Sequence, residues 1–193
     1  MAYDVRPTEA ELSEARALVT VALDACEREL GLEDSVRVAL GWTDNPPVVA
    51  EQSGVAGTCY SGGQVEVGFN ADAEGWSDAV GPVVALQYGR AWFDERVTVA
   101  FRWQRLLREA FADRFAAARF PDGPRPWRTT EEAAERWTAL SDDLSERDDL
   151  AGDRATMGVA AAVGRELAAE CDLAAFVDRD RSAVAAAGEA AFD

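Results

Sequence analysis

Histidine is absent from this 193-residue chain, and so are lysine and isoleucine. The first absence reaches furthest. Without an imidazole there is no Ser-His or Cys-His nucleophile pair and no histidine to bind a metal. Cysteine is scarce: Cys26, Cys59 and Cys171 are widely spaced, odd in number and form no Cys-x-x-Cys pair. They are expected to be small apolar thiols in a reducing cytosol. No apolar run approaches the ~18 to 20 residues that cross a bilayer, and the opening MAYDVRPTEAELSEA is acidic and polar. A soluble, cytoplasmic protein with no targeting segment and no membrane partner is expected. There is no Gly-x-Ser-x-Gly elbow and no internal repeat. The glycines of Gly54–Gly57 and Ser61-Gly62-Gly63 precede no helix in a phosphate-loop pattern.

Acid is what the chain has in excess. Thirty-six Asp and Glu face 19 basic residues, all arginine, for a net charge of -17. Lysine and isoleucine codons are AT-rich, so their absence points to a GC-rich genome. Acidic excess without lysine reads as adaptation to very high salt. At ~1 M salt the Debye length is ~3 Å, which screens the self-repulsion of such a surface. A basic partner that needs an acidic face is the competing explanation, but the acids run along the whole chain rather than forming one block. Nucleic-acid partners are disfavoured, because phosphate contacts need a basic face.

The length suits one domain, 1–193, with a core over 35–127 and a helical extension over 129–193. Thr8 and Glu11 form a capping box ahead of Leu12, Ala15, Leu18, Val19, Ala22, Leu23, Cys26 and Leu30, a helical apolar stripe that Gly31 is placed to end. Ser35–Trp42 reads as a strand, broken by Asp44–Pro47. Val55–Tyr60 and Gln64–Phe69 flank Ser61-Gly62-Gly63 as a hairpin, and Val65, Val67 and Phe69 mark its buried face. A helix is expected from Ser77 or Pro82 to Glu95, with Pro82 tolerable only near its first turn. Another covers about Val99–Arg119. Thr129 and Glu132 form a capping-box pattern before a helix with Trp137 and Leu140. Ser141–Asp149 is an acidic run expected to be solvated, Arg154–Asp172 is a further helix, and the tail after it is marginal. This order predicts an α+β fold: a small mixed or mostly antiparallel sheet of about three strands on a helical bundle.

The helix Val83–Phe93 reads VVALQYGRAWF. It resembles the zinc helix of a metallopeptidase, His-Glu-x-x-His, with Leu86 and Arg90 at the ligand positions and Gln87 at the general base. The motif needs two ligands one turn apart, so that both face one ion, with the glutamate beside them to activate water. Glu109 follows Arg90 with eighteen residues between them. That is the spacing of the third ligand in the glutamate-ligated zincins. Trp103–Phe115, WQRLLREAFADRF, is similar to the Leu-x-x-Glu-Gly-x-Ala-x-x-Phe helix of a family of predicted zinc-dependent proteases, in which Pro-Trp often follows, as Pro126-Trp127 does here. The resemblance spans about 35–127. It implies a zincin-like fold, a zinc site and an edge strand that holds extended peptides.

Three of the four functional positions depart from that pattern, each by a change that one base substitution can make. Leu86 has no lone pair, Gln87 cannot take a proton, and Arg90 repels a cation. Zinc is therefore expected in the family but not in this chain. The resemblance implies a catalytically inactive peptidase homologue, a peptide-binding or regulatory module. An active zinc peptidase or other hydrolase with different ligands, or a helical protein–protein interaction module, are the alternatives. A buried Glu109 without metal needs another counter-charge. The expectation is an Arg90–Glu109 salt bridge, with Leu86 filling the space of the lost imidazole. Trp92 and Trp103 are the candidates to line the old cleft. A carboxylate-only metal site from Asp72, Glu74 or Asp142-Asp143 is a weaker candidate.

Overall fold

The capping box at Thr8 forms. Its hydroxyl accepts from the Glu11 N–H at 3.3 Å, and the Glu11 carboxylate accepts from the Thr8 N–H at 2.6 Å. These bonds open α1 (Glu9–Glu27) in the computed structural model, which describes residues 7–33 and 35–192. Ala15, Val19, Ala22 and Cys26 turn its buried stripe inward. The helix ends at Glu27 rather than running on to Gly31.

β1 (Arg37–Trp42) follows. The proline pair after it does more than break a strand. Pro46 opens a short helix, α2 (Pro46–Glu51), because a residue without an N–H loses nothing in the first turn. β2 (Val55–Tyr60) and β3 (Gln64–Phe69) then form the expected hairpin. The sheet order is β1-β3-β2, with β1 parallel and β2 antiparallel to β3. Trp42 and Val55 both pair with Phe69. The alternation of β3 buries Val65, Val67 and Phe69 and leaves Gln64 and Glu66 exposed.

That buried face lies on α3 (Trp76–Asp94). Pro82 sits inside this helix, beyond the first turn that the sequence suggested. The carbonyl it deprives of a partner is that of exposed Asp78, so the loss falls at the solvent end. α4 (Arg102–Arg119) starts later than Val99, since the Gln104 carboxamide oxygen accepts from the N–H groups of Ala100 and Phe101 at 2.8 and 3.1 Å. The acidic run beyond it is not merely solvated. Its Leu144 is buried, and the carbonyls of Glu146 and Leu144 accept from the N–H groups of Arg102 and Trp103 at 3.0 and 3.1 Å. The run thus supplies partners to the start of α4.

α5 (Ala133–Leu140) also starts late. The Thr129 capping box does not form: its hydroxyl accepts from Glu131 N–H at 3.4 Å, while its own N–H donates to the Arg154 carbonyl at 3.0 Å. Asp153 caps α6 (Arg154–Glu170) by accepting from Thr156 N–H at 2.7 Å. The tail is a formed helix, α7 (Arg181–Phe192), which buries Val184 and Ala187 and stacks Phe192 on Trp137 at 6.1 Å. Contact with α6 overrides its weak local signal.

The molecule is therefore α+β, a three-stranded mixed sheet on helices. α3 carries the sheet on one side and packs against α1 and α4; α6 backs α4 and carries α5 and α7. One core runs through these layers, joining Val67 to Phe111 and on to Val163 and Val184. Among the described residues, no helix is long and apolar enough to cross a membrane.

Candidate functional site

Three residues of α3 fall on one side of the helix by its period. Leu86 and Arg90 are four apart and Gln87 lies three before Arg90, so all three sit within about one third of the circumference. That side looks toward α4 and the start of α6. Gly89 permits the close approach of α4: a Cβ there would stand 3.0 Å from Ala112 Cα. On α4 the facing residue is Glu109, whose side chain is 2% exposed.

The ion pair expected from the sequence is present. Arg90 Nε donates to Glu109 Oε2 at 2.7 Å, and Nη2 stands 2.6 Å from the same oxygen. Arg90 Nη1 donates to Gln87 Oε1 at 2.9 Å, and Nη2 reaches the Met157 sulfur of α6 at 3.5 Å. Gln87 is held from above as well. A Cβ on Gly57 of β2 would lie 2.8 Å from Gln87 Cγ, so only glycine leaves room for the glutamine under the strand. Leu86 is buried beside them.

Two further guanidiniums share the carboxylate. Arg108 Nη1 donates to Glu109 Oε1 at 2.9 Å, and Arg105 Nε lies 3.1 Å from that oxygen one turn back. Arg108 in turn grips Asp94 at the end of α3 with both edges of its fork, at 2.7 and 2.6 Å. Burial is the largest single influence on Glu109 and pushes its carboxyl up. Arg90, Arg108 and Arg105 together overcome it and hold the group below the usual glutamate range. Burial likewise pulls Arg108 down, and Asp94 and Glu109 reverse that and hold it above the ordinary arginine value. Cys59, on the neighbouring strand, is raised chiefly by burial, so its thiol is not activated. All three cysteines are free.

The tryptophans are placed otherwise than expected. Trp92 and Trp103 do not line the cleft beside Gln87 and Arg90. Trp92 is two residues past Arg90, about 200° around the helix. It stacks on Phe111 at 4.7 Å with Arg96 over its ring. Trp103 is six residues before Glu109, about 240° away on α4. The aromatic wall is instead Trp127, whose indole N–H donates to buried Asp113 at 3.0 Å. The cleft is small, about 110 Å³, and opens between the first half of β2, α3 and the start of α6. Sequence reasoning missed Arg105, Arg108, Asp94, Met157 and Arg154 here. Only Arg105 carried a local signal, its four-residue spacing from Glu109.

These residues do not fit a zinc ion. Leu86 offers no donor atom, Arg90 brings a positive charge, and the carboxylate of Glu109 is already shared by three guanidiniums. Among the described residues no group of three or more His, Cys, Asp or Glu is arranged to hold a metal, and Asp72, Glu74, Asp142 and Asp143 build no such group. No protein-family model, curated protein or solved structure matches the chain.

Proposed function

We propose that the chain is a catalytically inactive homologue of the glutamate-ligated zincins, serving as a binding or regulatory module that holds an extended peptide along the free edge of β2. One observation carries this reading. The four positions that match the zinc motif, 86, 87, 90 and 109, come together beneath an edge strand, and a salt bridge joins the second and third ligand positions. A chance amphipathic helix has no reason to place a half-buried arginine, paired to a buried glutamate, where the motif frame puts a ligand. The acidic, lysine-free composition supports a setting at high salt, without nucleic-acid partners.

The test has two arms. Purified protein incubated with zinc and desalted is expected to carry far less than one zinc per chain by mass spectrometry, and stoichiometric zinc would overturn the inactive reading. The substitutions Leu86→His, Gln87→Glu and Arg90→His, combined with Arg105→Gln and Arg108→Gln to release Glu109 from its other two guanidiniums, are expected to gain zinc binding. A folded variant of this kind without zinc affinity would count against the ancestry.

A further inference from the structure

The cleft beside Gln87 stands out by its charge. In a chain with 36 acidic residues against 19 arginines, it is lined by Arg90 and Arg154 and by no carboxylate. Four other surface hollows each have at least one acid: Glu132 in one, Asp94 in the next, Glu66 in the third and Asp142 in the last. The carboxamides of Gln52 and Gln87 complete its polar rim, and its apolar wall includes Val83, Leu86 and Trp127. Arg154 is not saturated. Its Nη1 donates to Glu51 at 2.8 Å and its Nη2 to the Arg128 carbonyl at 3.4 Å, while its Nε is buried and makes no hydrogen bond. A guanidinium carries five donors in a planar fork, and its best match is a carboxylate.

From these observations we infer that the cleft binds a small carboxylate on a short apolar group, with Arg154 as its principal partner and Arg90 and the two glutamines around it. The volume of about 110 Å³ sets the size. A space of that size suits a small acid such as acetate or propionate, or the last residue of a peptide chain. The carboxylate comes either from a free short-chain acid or from the C-terminus of a peptide ending in a small residue. The inference rests on the lining of the cleft and does not require the peptidase ancestry.

The experiment is a titration of nitrogen-15-labelled protein, followed through the Trp127 indole N–H, which forms the cleft wall. The signal is assigned by its loss in Trp127→Phe. The probes are sodium propionate, propionamide, sodium chloride at equal ionic strength, and acetyl-Gly-Ala as free acid and as amide. Propionate is expected to shift the signal saturably, while propionamide and chloride leave it in place. Arg154→Gln is expected to weaken propionate at least tenfold, with the rest of the spectrum unchanged. Tighter binding of the acetyl-dipeptide acid than of propionate assigns the carboxylate to a peptide end; the reverse assigns it to a free acid. Equal responses to propionate and propionamide, a matching response to chloride, or unaltered affinity in Arg154→Gln would overturn the inference. Zinc content bears on the ancestry alone, so the two readings fail separately.

Discussion

Two carboxylates on the same helix, one turn apart, are equally hidden and behave in opposite ways. Glu109 and Asp113 each have a side chain only 2% exposed. Glu109 meets three guanidiniums, the farthest at 3.1 Å, and its carboxyl lies below the usual range. Asp113 meets one indole N–H at 3.0 Å and one guanidinium at 3.5 Å, and burial leaves its carboxyl above the usual range. Burial penalises both charges alike, so the number and closeness of cationic donors decide the outcome. One position is built for a permanent charge. The other holds its charge against resistance.

The largest expected effect breaks the better-supported half. Glu109→Leu leaves Arg90, Arg105 and Arg108 converging with only Asp94 and a more distant Asp148 for balance. A loss of ~3 to 5 kcal/mol is expected, the range for stranding buried charge. Arg90→Leu should cost less, about 2 kcal/mol, because two guanidiniums still hold Glu109; a lone buried pair would lose ~3 or more. Urea midpoints at constant m-value measure both. Equal losses would mean that Arg90 alone holds Glu109. The pH dependence is fixed in sign. A carboxyl lowered by folding stabilises fully above its unfolded value of ~4.3, and that contribution disappears as pH falls through the folded value. The gap between wild type and Glu109→Leu should therefore close in acid.

A second, smaller effect asks whether β2 supports that network. Gly57→Ala pushes on Gln87, the residue that steadies Arg90 Nη1. A cost of ~1 to 3 kcal/mol is expected from overpacking. The pH response of Asp113 should be unchanged, since neither Trp127 nor Arg128 binds through Gln87. A Gly57→Ala variant as stable as wild type would show the strand free to lift.

The Arg90–Glu109 half of this comparison was readable from the sequence, and the Asp113 half was not. Arg90 and Glu109 were paired by a resemblance that rests on patterns local to each helix and on one spacing between them. The hairpin was readable for a similar reason, since alternation along β3 is a local pattern. Arg108 and Asp94 meet only because α3 and α4 cross where they do, and no periodicity encodes that crossing. Met157 and Arg154 come from α6, far along the chain, and nothing near them in sequence points at the cleft. The tryptophans show the opposite failure. Trp92 and Trp103 were chosen by proximity in sequence, although a count of helical degrees turns both away. The Thr129 capping box failed because tertiary contact won: its N–H bonds to Arg154 instead of opening a helix.

The smallest effect has the sharpest sign. Asp113 is raised above its unfolded value of ~3.9, so the folded chain holds that proton more tightly than the unfolded chain does. Stability from this group is then lost as pH rises from ~3.9 through the folded value, the reverse of Glu109. Asp113→Asn keeps an oxygen for the Trp127 indole and sheds the charge. Relative to wild type, the variant should gain stability as pH climbs from ~3.9 toward neutrality and show no gain below that value. Chemical denaturation of the two proteins across that range reads the slope directly. A flat difference, or one that favours wild type at neutral pH, would mean that Arg128 at 3.5 Å neutralises Asp113 after all, and that the two buried acids of α4 are alike.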